Sequence, residues 1–239
     1  CFRMAGVDAK RIPDAKEINR LYDEAKSRGE VKNPRENVLR FATVHDDVVH
    51  FNTTRVVGES ALDGWALTRA EIEGRRQTDD MVRFMRKYIA GFENSYLQKM
   101  PAQIGVRESR RVMGSYVLTE QDVIDGRKFD DGVACCAYEI DIHNPSGTGT
   151  RLVYLKEGVY YHIPWRSLLP LGPDNLIVAS RCVSSTHEAH SSLRIMPTVW
   201  AIGQAGGTGA ALAVRGKMKP GKVNVAELKK LLVEQKAFI

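Results

Sequence analysis

The stretch Asn175-Leu176-Ile177-Val178-Ala179-Ser180-Arg181 is a short, continuous apolar run that ends in two polar residues. A run of this length is typical of a strand that is buried on both faces, and such strands belong to parallel sheets. Open α/β sheets bind their ligands beyond the carboxyl ends of their strands. We therefore expect a ligand site among the polar residues that follow, from Ser180 to Arg194.

A glycine-rich segment, residues 197–216, comes next and begins with Pro197. Proline is favourable in the first turn of a helix, and small residues let a helix approach its neighbour closely, so the segment predicts a packed helix. The start of a helix exposes backbone N–H groups and the positive end of the helix dipole. Such a start is suited to stabilise negative charge on a bound molecule.

The rest of the chain alternates between helical and extended patterns. Helices are predicted where a capping residue precedes an apolar period: after Asp14, from Thr68 to about Ala90, after Thr119, and from Asn224 to about Gln235. Extended patterns predict a hairpin over residues 38–52, a strand over 133–142 and a second hairpin over 152–163. The mixture predicts an α+β fold with antiparallel or mixed sheet in its first part. A loop at residues 144–147 divides the chain into predicted domains at 1–145 and 146–239.

The densest polar group is the run from Arg107 to Arg111. On a strand, Arg107 and Arg111 would share one face and Arg110 would lie on the other. The run is either a solvated charged strand or a guanidinium cluster that orients a carboxylate substrate.

Two groups of residues contain histidines that could transfer protons. Asp141 and His143 share one face of the predicted strand, where the carboxylate either tunes the imidazole or only holds it by a structural hydrogen bond. His187 and His190 would suit a metal on a helix, but no third ligand stands at a useful spacing, so no metal is predicted. Serine hydrolysis is disfavoured because no nucleophile-elbow sequence surrounds Ser184 or Ser185.

Composition and charge exclude several classes of partner. The 35 Lys and Arg residues are spread among 29 Asp and Glu residues and form no long run, so nucleic acid is not predicted. A net charge of +6 suits an anionic cofactor or substrate. No apolar stretch approaches the roughly 20 residues that a membrane helix needs, so no membrane partner is predicted. The four cysteines match no disulfide or metal pattern, which favours a reducing, cytoplasmic compartment.

Several motifs, in the same order along residues 2–216, resemble the bacterial FAD-dependent oxidoreductase family that is related to the glutathione-reductase type of flavoprotein. The resemblance is most specific in Asn175 to Arg181, Arg194 to Thr198 and Ala201 to Gly207. The resemblance extends to five earlier segments, namely residues 50–56, 70–76, 105–111, 138–144 and 161–164.

The resemblance implies a substrate domain followed by the C-terminal part of a Rossmann-like FAD domain. It implies transfer of a hydride or electron pair between an organic, anionic substrate and FAD. The residues that it assigns to the cofactor are Ser180, Arg181, Arg194, Pro197 and Thr198. Those that it assigns to the reaction pocket, to position the substrate and move a proton, are Arg107, Arg110, Arg111, His143 and His187.

The chain departs from the family pattern in two places. Ser180 stands where many relatives have glycine, and no strand, G-x-G-x-x-G turn and helix is present to hold the pyrophosphate. We therefore expect this chain to be a fragment that binds flavin weakly or not at all, with the missing segment before Cys1. The strand at Asn175 would then expose a sheet edge, which favours a homo-oligomer. The alternative is a non-catalytic interaction or scaffold module that no longer binds flavin.

Overall fold

The computed structural model describes residues 1–143 and 149–239, with the side chain of His143 outside the described part. These residues form two compact units. The first contains Cys1–Ser109 together with Gly149, and the second contains Arg110–His143 and Thr150–Ile239. The predicted division after residue 145 falls on residues outside the described part and stays a prediction.

The first unit is built on a four-stranded antiparallel sheet whose strand order is β2-β3-β1-β4. Its strands are β1 (Phe2–Ala5), β2 (Arg40–Ala42), β3 (Val49–Phe51) and β4 (Tyr96–Lys99). Its helices are α1 (Ala15–Ser27) and α2 (Gly64–Tyr88). Strands β2 and β3 pair as neighbours, which confirms the hairpin predicted over residues 38–52.

Aromatic packing and local capping hold this unit together. The rings of Phe2 and Phe51 stack on adjacent strands with their centroids 4.8 Å apart. Asp14 caps α1 by accepting a hydrogen bond from the backbone N–H of Glu17, as predicted. The predicted start of α2 at Thr68 is wrong, because Asp63 caps the helix and the Thr68 hydroxyl donates back to the carbonyl of Gly64.

The second unit contains two separate antiparallel ladders and four helices. Strand β5 (Gly132–Cys136) pairs with β8 (Tyr161–Pro164), and β6 (Ile140–His143) pairs with β7 (Thr150–Val153). Its helices are α3 (Glu120–Ile124), α4 (His187–Leu193), α5 (Met196–Arg215) and α6 (Val225–Glu234). Helices α3, α5 and α6 confirm the helices predicted after Thr119, from Pro197 and from Asn224.

Two strand predictions in this unit are corrected by the observed pairing. The strand expected over residues 133–142 is interrupted after Cys136 and becomes β5 and β6. The hairpin expected over residues 152–163 does not form, because β7 and β8 each pair with a different and earlier strand. A turn does occur at Gly158, which has φ of +77°, but it joins strands of two different ladders.

The apolar run Asn175–Ala179 is not the buried parallel strand that its sequence predicts. Its first residues are exposed and its last are half-buried, and the backbone N–H of Val178 donates to the carbonyl of Leu168 at 2.8 Å. Ile177 and Ala179 pack instead against helix α5 at Gly206. The sheet edge expected at Asn175 is therefore not formed. Among the described residues the ladders are antiparallel, and the mixture of helices and sheets confirms the α+β fold class.

Helix α5 is the central element of the second unit and packs against β5 and α6. Two glycines three positions apart let it approach its neighbours: Gly206 lies against Ala179, and Gly209 lies against the ring of the buried Trp165. A Cβ atom at either glycine would overlap these neighbours. No helix in the described part of the chain is long and apolar enough to cross a membrane.

Replacing Gly209 by alanine is expected to cost about 1–3 kcal/mol of packing energy, because the new methyl group overlaps the Trp165 ring in a packed core. The gain of about 1 kcal/mol in helix propensity offsets part of this cost, so the free energy of unfolding should fall by up to about 2 kcal/mol. The matched control is Gly207→Ala on the same helix, where a Cβ meets no neighbour within 4 Å and the substitution should stabilise the protein. Denaturant unfolding measures both changes, and equal effects at the two positions would contradict this packing.

Candidate functional site

A loop ahead of helix α4 is held against the segment that follows Arg110. The backbone N–H of Val112 donates to the carbonyl of Cys182 at 3.0 Å, and the Arg111 Nε donates to the carbonyl of Ser185 at 2.8 Å. Further along, Leu118 exchanges backbone hydrogen bonds with Ser184 and Thr186 at 3.1 and 2.8 Å. These bonds fix Arg111 beside the start of α4.

Helix α4 carries a buried histidine into this arrangement. The Thr186 hydroxyl caps the helix by accepting from the N–H of Ala189 at 3.3 Å. His190 is 2% exposed, and its carbonyl accepts from the N–H of Arg194 at 3.1 Å where the helix ends. The Arg194 Nη2 donates to the carbonyl of Asp141 on β6 at 3.4 Å. The helix therefore places His190 between Arg111, near its start, and Arg194, at its end.

Charge and burial together perturb this group. Burial, and to a smaller extent the nearby cations of Arg111, Arg194 and Arg181, lower the pKa of His190 to about 4. Burial also lowers the pKa of Arg194, against the opposing effect of Asp141. We refer to Arg111, Arg181 and Arg194 as the cation cluster. At neutral pH the imidazole on which these cations act is uncharged.

The start of helix α5 directly follows this cluster. The N-cap residue, Ile195, makes no side-chain hydrogen bond to the first turn, so no side chain caps the backbone N–H groups there. Thr198 is buried, whereas Met196 and Trp200 are exposed. A cavity of about 540 Å³ lies against this turn, and its walls include Cys135, Tyr138, Pro197, Thr198, Trp200 and Phe238.

Buried hydrogen bonds join the wall of this cavity to α4. The Ser192 hydroxyl donates to the carbonyl of Tyr138 at 2.6 Å and contacts the hydroxyl of the buried Tyr161 at 2.7 Å. Burial raises the pKa of Tyr161 well above its ordinary value, so this phenol stays protonated. The backbone at Tyr138 is therefore anchored to the same helix that carries His190.

The structure brings together part of the predicted site. Arg111, Arg181 and Arg194 all act electrostatically on His190, and His187 lies exposed on the first turn of α4. Pro197 and Thr198 line the cavity. The Ser180 hydroxyl contacts the sulfur of Cys182 at 2.8 Å and accepts from its N–H at 3.3 Å, so Ser180 supports the turn before α4.

Other predicted residues are placed elsewhere. The strand expected from Arg107 to Arg111 is not formed, because Arg111 and Val112 hydrogen-bond to the loop before α4 and not to a neighbouring strand. Arg107 belongs to the first unit, and Arg110 is exposed. His143 ends strand β6, and its side chain lies outside the described part of the structure.

His190 and Trp200 are not among the residues that the sequence assigns to the cofactor or to the reaction, although His190 lies in the polar segment where a ligand site is expected. Its position four residues before Arg194, after the capping residue Thr186, is consistent with a helix that brings it beside that arginine. Within the described ranges, no three His, Cys, Asp or Glu side chains converge as a metal site. Trp200 had no distinguishing pattern in the sequence.

A family model described as FAD dependent oxidoreductase matches residues 1–232 of the chain. The match includes the cation cluster and the whole of helix α5. Searches of the curated proteins and of the solved structures found no match.

The buried His190 is expected to make stability depend on pH. Its pKa is about 4 in the folded protein and near the ordinary value of 6.5 in the unfolded chain, so the unfolded chain takes up this proton first as the pH falls. The contribution to stability is fully present above pH 6.5 and is lost towards pH 4, by up to about 3 kcal/mol.

Urea unfolding of the original chain and of His190→Gln measures this effect across that pH range. The variant should lose less stability on acidification, whereas the matched control His187→Gln, changed at the exposed histidine of the same helix, should behave as the original chain does. Parallel pH profiles for the original chain and His190→Gln would show that His190 titrates normally in the folded state.

Proposed function

The chain belongs to the FAD-dependent oxidoreductase family, and on this premise we propose that it passes a hydride or electron pair between an organic anion and a flavin seated at the start of helix α5. One observation carries the proposal. The first turn of α5, which no side chain caps, directly follows the cation cluster in the chain and also lines the cavity beside Tyr138 and Trp200.

The chemistry of the first turn of α5 fits the flavin ring. Backbone N–H groups and the positive dipole end at Met196 and Thr198 would stabilise the negative charge that a reduced flavin develops on its pyrimidine ring. The flat side chains of Tyr138 and Trp200, in the wall of the cavity, offer apolar surface to a planar ring system. When bound, the flavin supplies the redox chemistry, and the protein supplies binding, orientation and electrostatics.

The cation cluster would hold the substrate. A guanidinium binds a carboxylate or phosphate through two parallel hydrogen bonds, which fixes orientation as well as position. Burial lowers the pKa of both Arg111 and Arg194, which shows that their charges are partly removed from water. An anionic group on the substrate would compensate these charges, so the cluster favours substrates that carry a carboxylate or phosphate close to the reacting carbon.

The remaining predicted residues keep their proposed roles without a placement at this cluster. His187 is exposed at the start of α4, where it can exchange protons with water. Roles in the reaction pocket for Arg107, Arg110 and His143 stay predictions. The relation to the glutathione-reductase type of flavoprotein and a bacterial origin also stay predictions.

Flavin binding is expected to depend on Trp200. The purified chain is incubated with excess FAD, the free cofactor is removed, and the visible spectrum of the protein is recorded. Trp200→Ala should reduce the retained flavin several-fold, because the ring loses apolar contact surface in the cavity wall. The matched control is Trp65→Ala, which removes an equally exposed tryptophan from the first unit and should leave retention unchanged.

A chain that retains no flavin at any FAD concentration would contradict flavin binding by this chain and would agree with the expectation that it is a fragment. Failure of a longer, complete protein to bind flavin would favour the non-catalytic interaction module. Equal losses in the two tryptophan variants would place the flavin away from the cavity beside α5.

Oxidoreductase activity is expected with organic anions. Anaerobic mixing of the flavin-loaded chain with 2-hydroxy acids, amino acids and sugar phosphates should bleach the visible flavin band for at least one class of compound. Arg111→Gln should slow bleaching at limiting substrate by about tenfold or more, because it removes one charge-assisted hydrogen bond of about 1.5–3 kcal/mol. The control Arg215→Gln changes an exposed arginine at the other end of α5 and should bleach at the original rate. Faster bleaching with uncharged than with anionic compounds would contradict the assigned substrate class.

A further inference from the structure

The two antiparallel ladders of the second unit follow one register that is interrupted in the middle. Strands β5 and β8 pair as far as Cys136 and Tyr161, and pairing resumes where β6 meets β7. Between the two ladders, three residues on one side (137–139) face seven residues on the other (154–160). Extra residues on one strand disrupt a ladder locally, so the two sides separate here.

A cavity of about 460 Å³ lies in this gap, and we call it the gap cavity. Its walls are residues 135–137, Glu139, residues 154–160 and Phe238. A volume of this size is within the range of pockets that bind small molecules. The gap in the ladders is therefore large enough to be a ligand site.

Local contacts fix the longer side of the gap. Gly158 has φ of +77° in a tight turn, and the backbone N–H of Val159 donates to the carbonyl three residues back at 3.0 Å. The side chain of Val159 packs against Gly126, where a Cβ atom would overlap it. The Lys128 Nζ donates to the carbonyl of Tyr160. The gap cavity therefore has walls that are held by specific contacts.

Phe238 belongs to the walls of both the gap cavity and the cavity beside α5. After α6 the chain turns at Lys236, which has φ of +63°, and the N–H of Ala237 donates back into α6 at 2.9 Å. The Phe238 ring then lies 5.4 Å from the ring of Tyr160. Residues 135–137 also line both cavities. A molecule in the gap cavity would therefore lie beside a molecule in the cavity beside α5.

We propose that the gap cavity binds the flat apolar body of the organic substrate, so that the preferred substrates are anions that carry an aromatic ring. The inference rests on the proposed function, because a flavin in the cavity beside α5 would be the neighbour of that ring. A substrate has to reach the flavin to exchange electrons with it, and the shared wall places the two ligands side by side.

The side chains of the gap cavity are suited to an aromatic ring. Tyr154, Tyr160 and Phe238 offer ring faces and edges, on which an aromatic ligand packs in offset or edge-to-face geometry. The charged residues in the wall are one cation and two carboxylates, namely Lys156, Glu139 and Glu157. With both signs of charge present, this wall recognises the apolar body of a ligand and not its charge.

Phenyllactate and lactate are a matched pair of probes, because they carry the same 2-hydroxy acid group and differ by one phenyl ring. Isothermal titration calorimetry of the whole chain without flavin measures both affinities. Phenyllactate should bind about tenfold more tightly or better, because the phenyl ring is removed from water in the gap cavity.

Variants assign the ring to the gap cavity. Tyr154→Ala should weaken phenyllactate binding several-fold, because the ligand loses an aromatic wall. The matched control Tyr96→Ala removes an exposed tyrosine from the first unit and should leave the affinity unchanged. Of the two cavities, Tyr154 lines the gap cavity and Trp200 lines the cavity beside α5, so the loss in Tyr154→Ala should exceed that in Trp200→Ala.

Cys135 gives a second measurement on the original chain. It lies in the wall of the gap cavity, whereas Cys1 is exposed in the first unit. Alkylation with N-ethylmaleimide is followed at each cysteine by mass spectrometry. Phenyllactate should slow the alkylation of Cys135 and lactate should not, while Cys1 reacts at one rate throughout.

The proposal is overturned by equal affinities for phenyllactate and lactate, by no binding of phenyllactate, or by equal losses in Tyr154→Ala and Tyr96→Ala. An unprotected Cys135 in the presence of bound phenyllactate would also overturn it. Since no flavin is present in these measurements, they can fail while flavin retention succeeds. Phenyllactate binding without flavin retention would keep the gap cavity as a site for aromatic ligands while the proposed redox function fails.

Discussion

The backbone hydrogen bonds between Leu118 and the loop before α4 are the constraint on which the candidate site depends. Leu118 both donates to Ser184 and accepts from Thr186, and Ser184 donates in turn to Ser167. A buried loop must pair its backbone groups, because each unsatisfied group costs as much as a lost hydrogen bond. This pairing fixes the residue that caps α4, and hence which face of the short helix is buried. A seven-residue helix has little stability of its own, so its surroundings determine its position.

With α4 held in this position, the partly buried charges near it affect the free energy of the folded state. Arg111, Arg181 and Arg194 all act on a neutral imidazole, while Asp141 and Glu188 favour the charged forms of Arg194 and Arg111. Keeping such charges partly out of water costs free energy that a compact core must offset. The large apolar cluster under α5, which includes Trp165, Ile202 and Leu228, supplies that compensation within the same unit.

Local chemistry determined which elements the sequence could predict. Helices α1, α3 and α6 begin at Asp14, Thr119 and Asn224, whose side chains make the capping bonds that their identity implies. The strand predicted at residues 175–179 was wrong because this apolar run packs against helix α5 at Gly206. A sequence does not show which distant element covers an apolar surface. For the same reason the sequence identifies the arginines as candidate anion ligands by residue type. Only the tertiary structure shows that three of them act on His190.

The paired glycines of α5 also constrain how the protein can evolve. Gly206 and Gly209 lie against Ala179 and Trp165, so a rotation of the helix about its axis would turn side chains with Cβ atoms towards these two neighbours. The position of the first turn of α5 therefore depends on Trp165, which contacts the helix more than two turns further along. A different tilt of this helix would require a change at Trp165 as well, so a buried residue constrains the position of the exposed first turn.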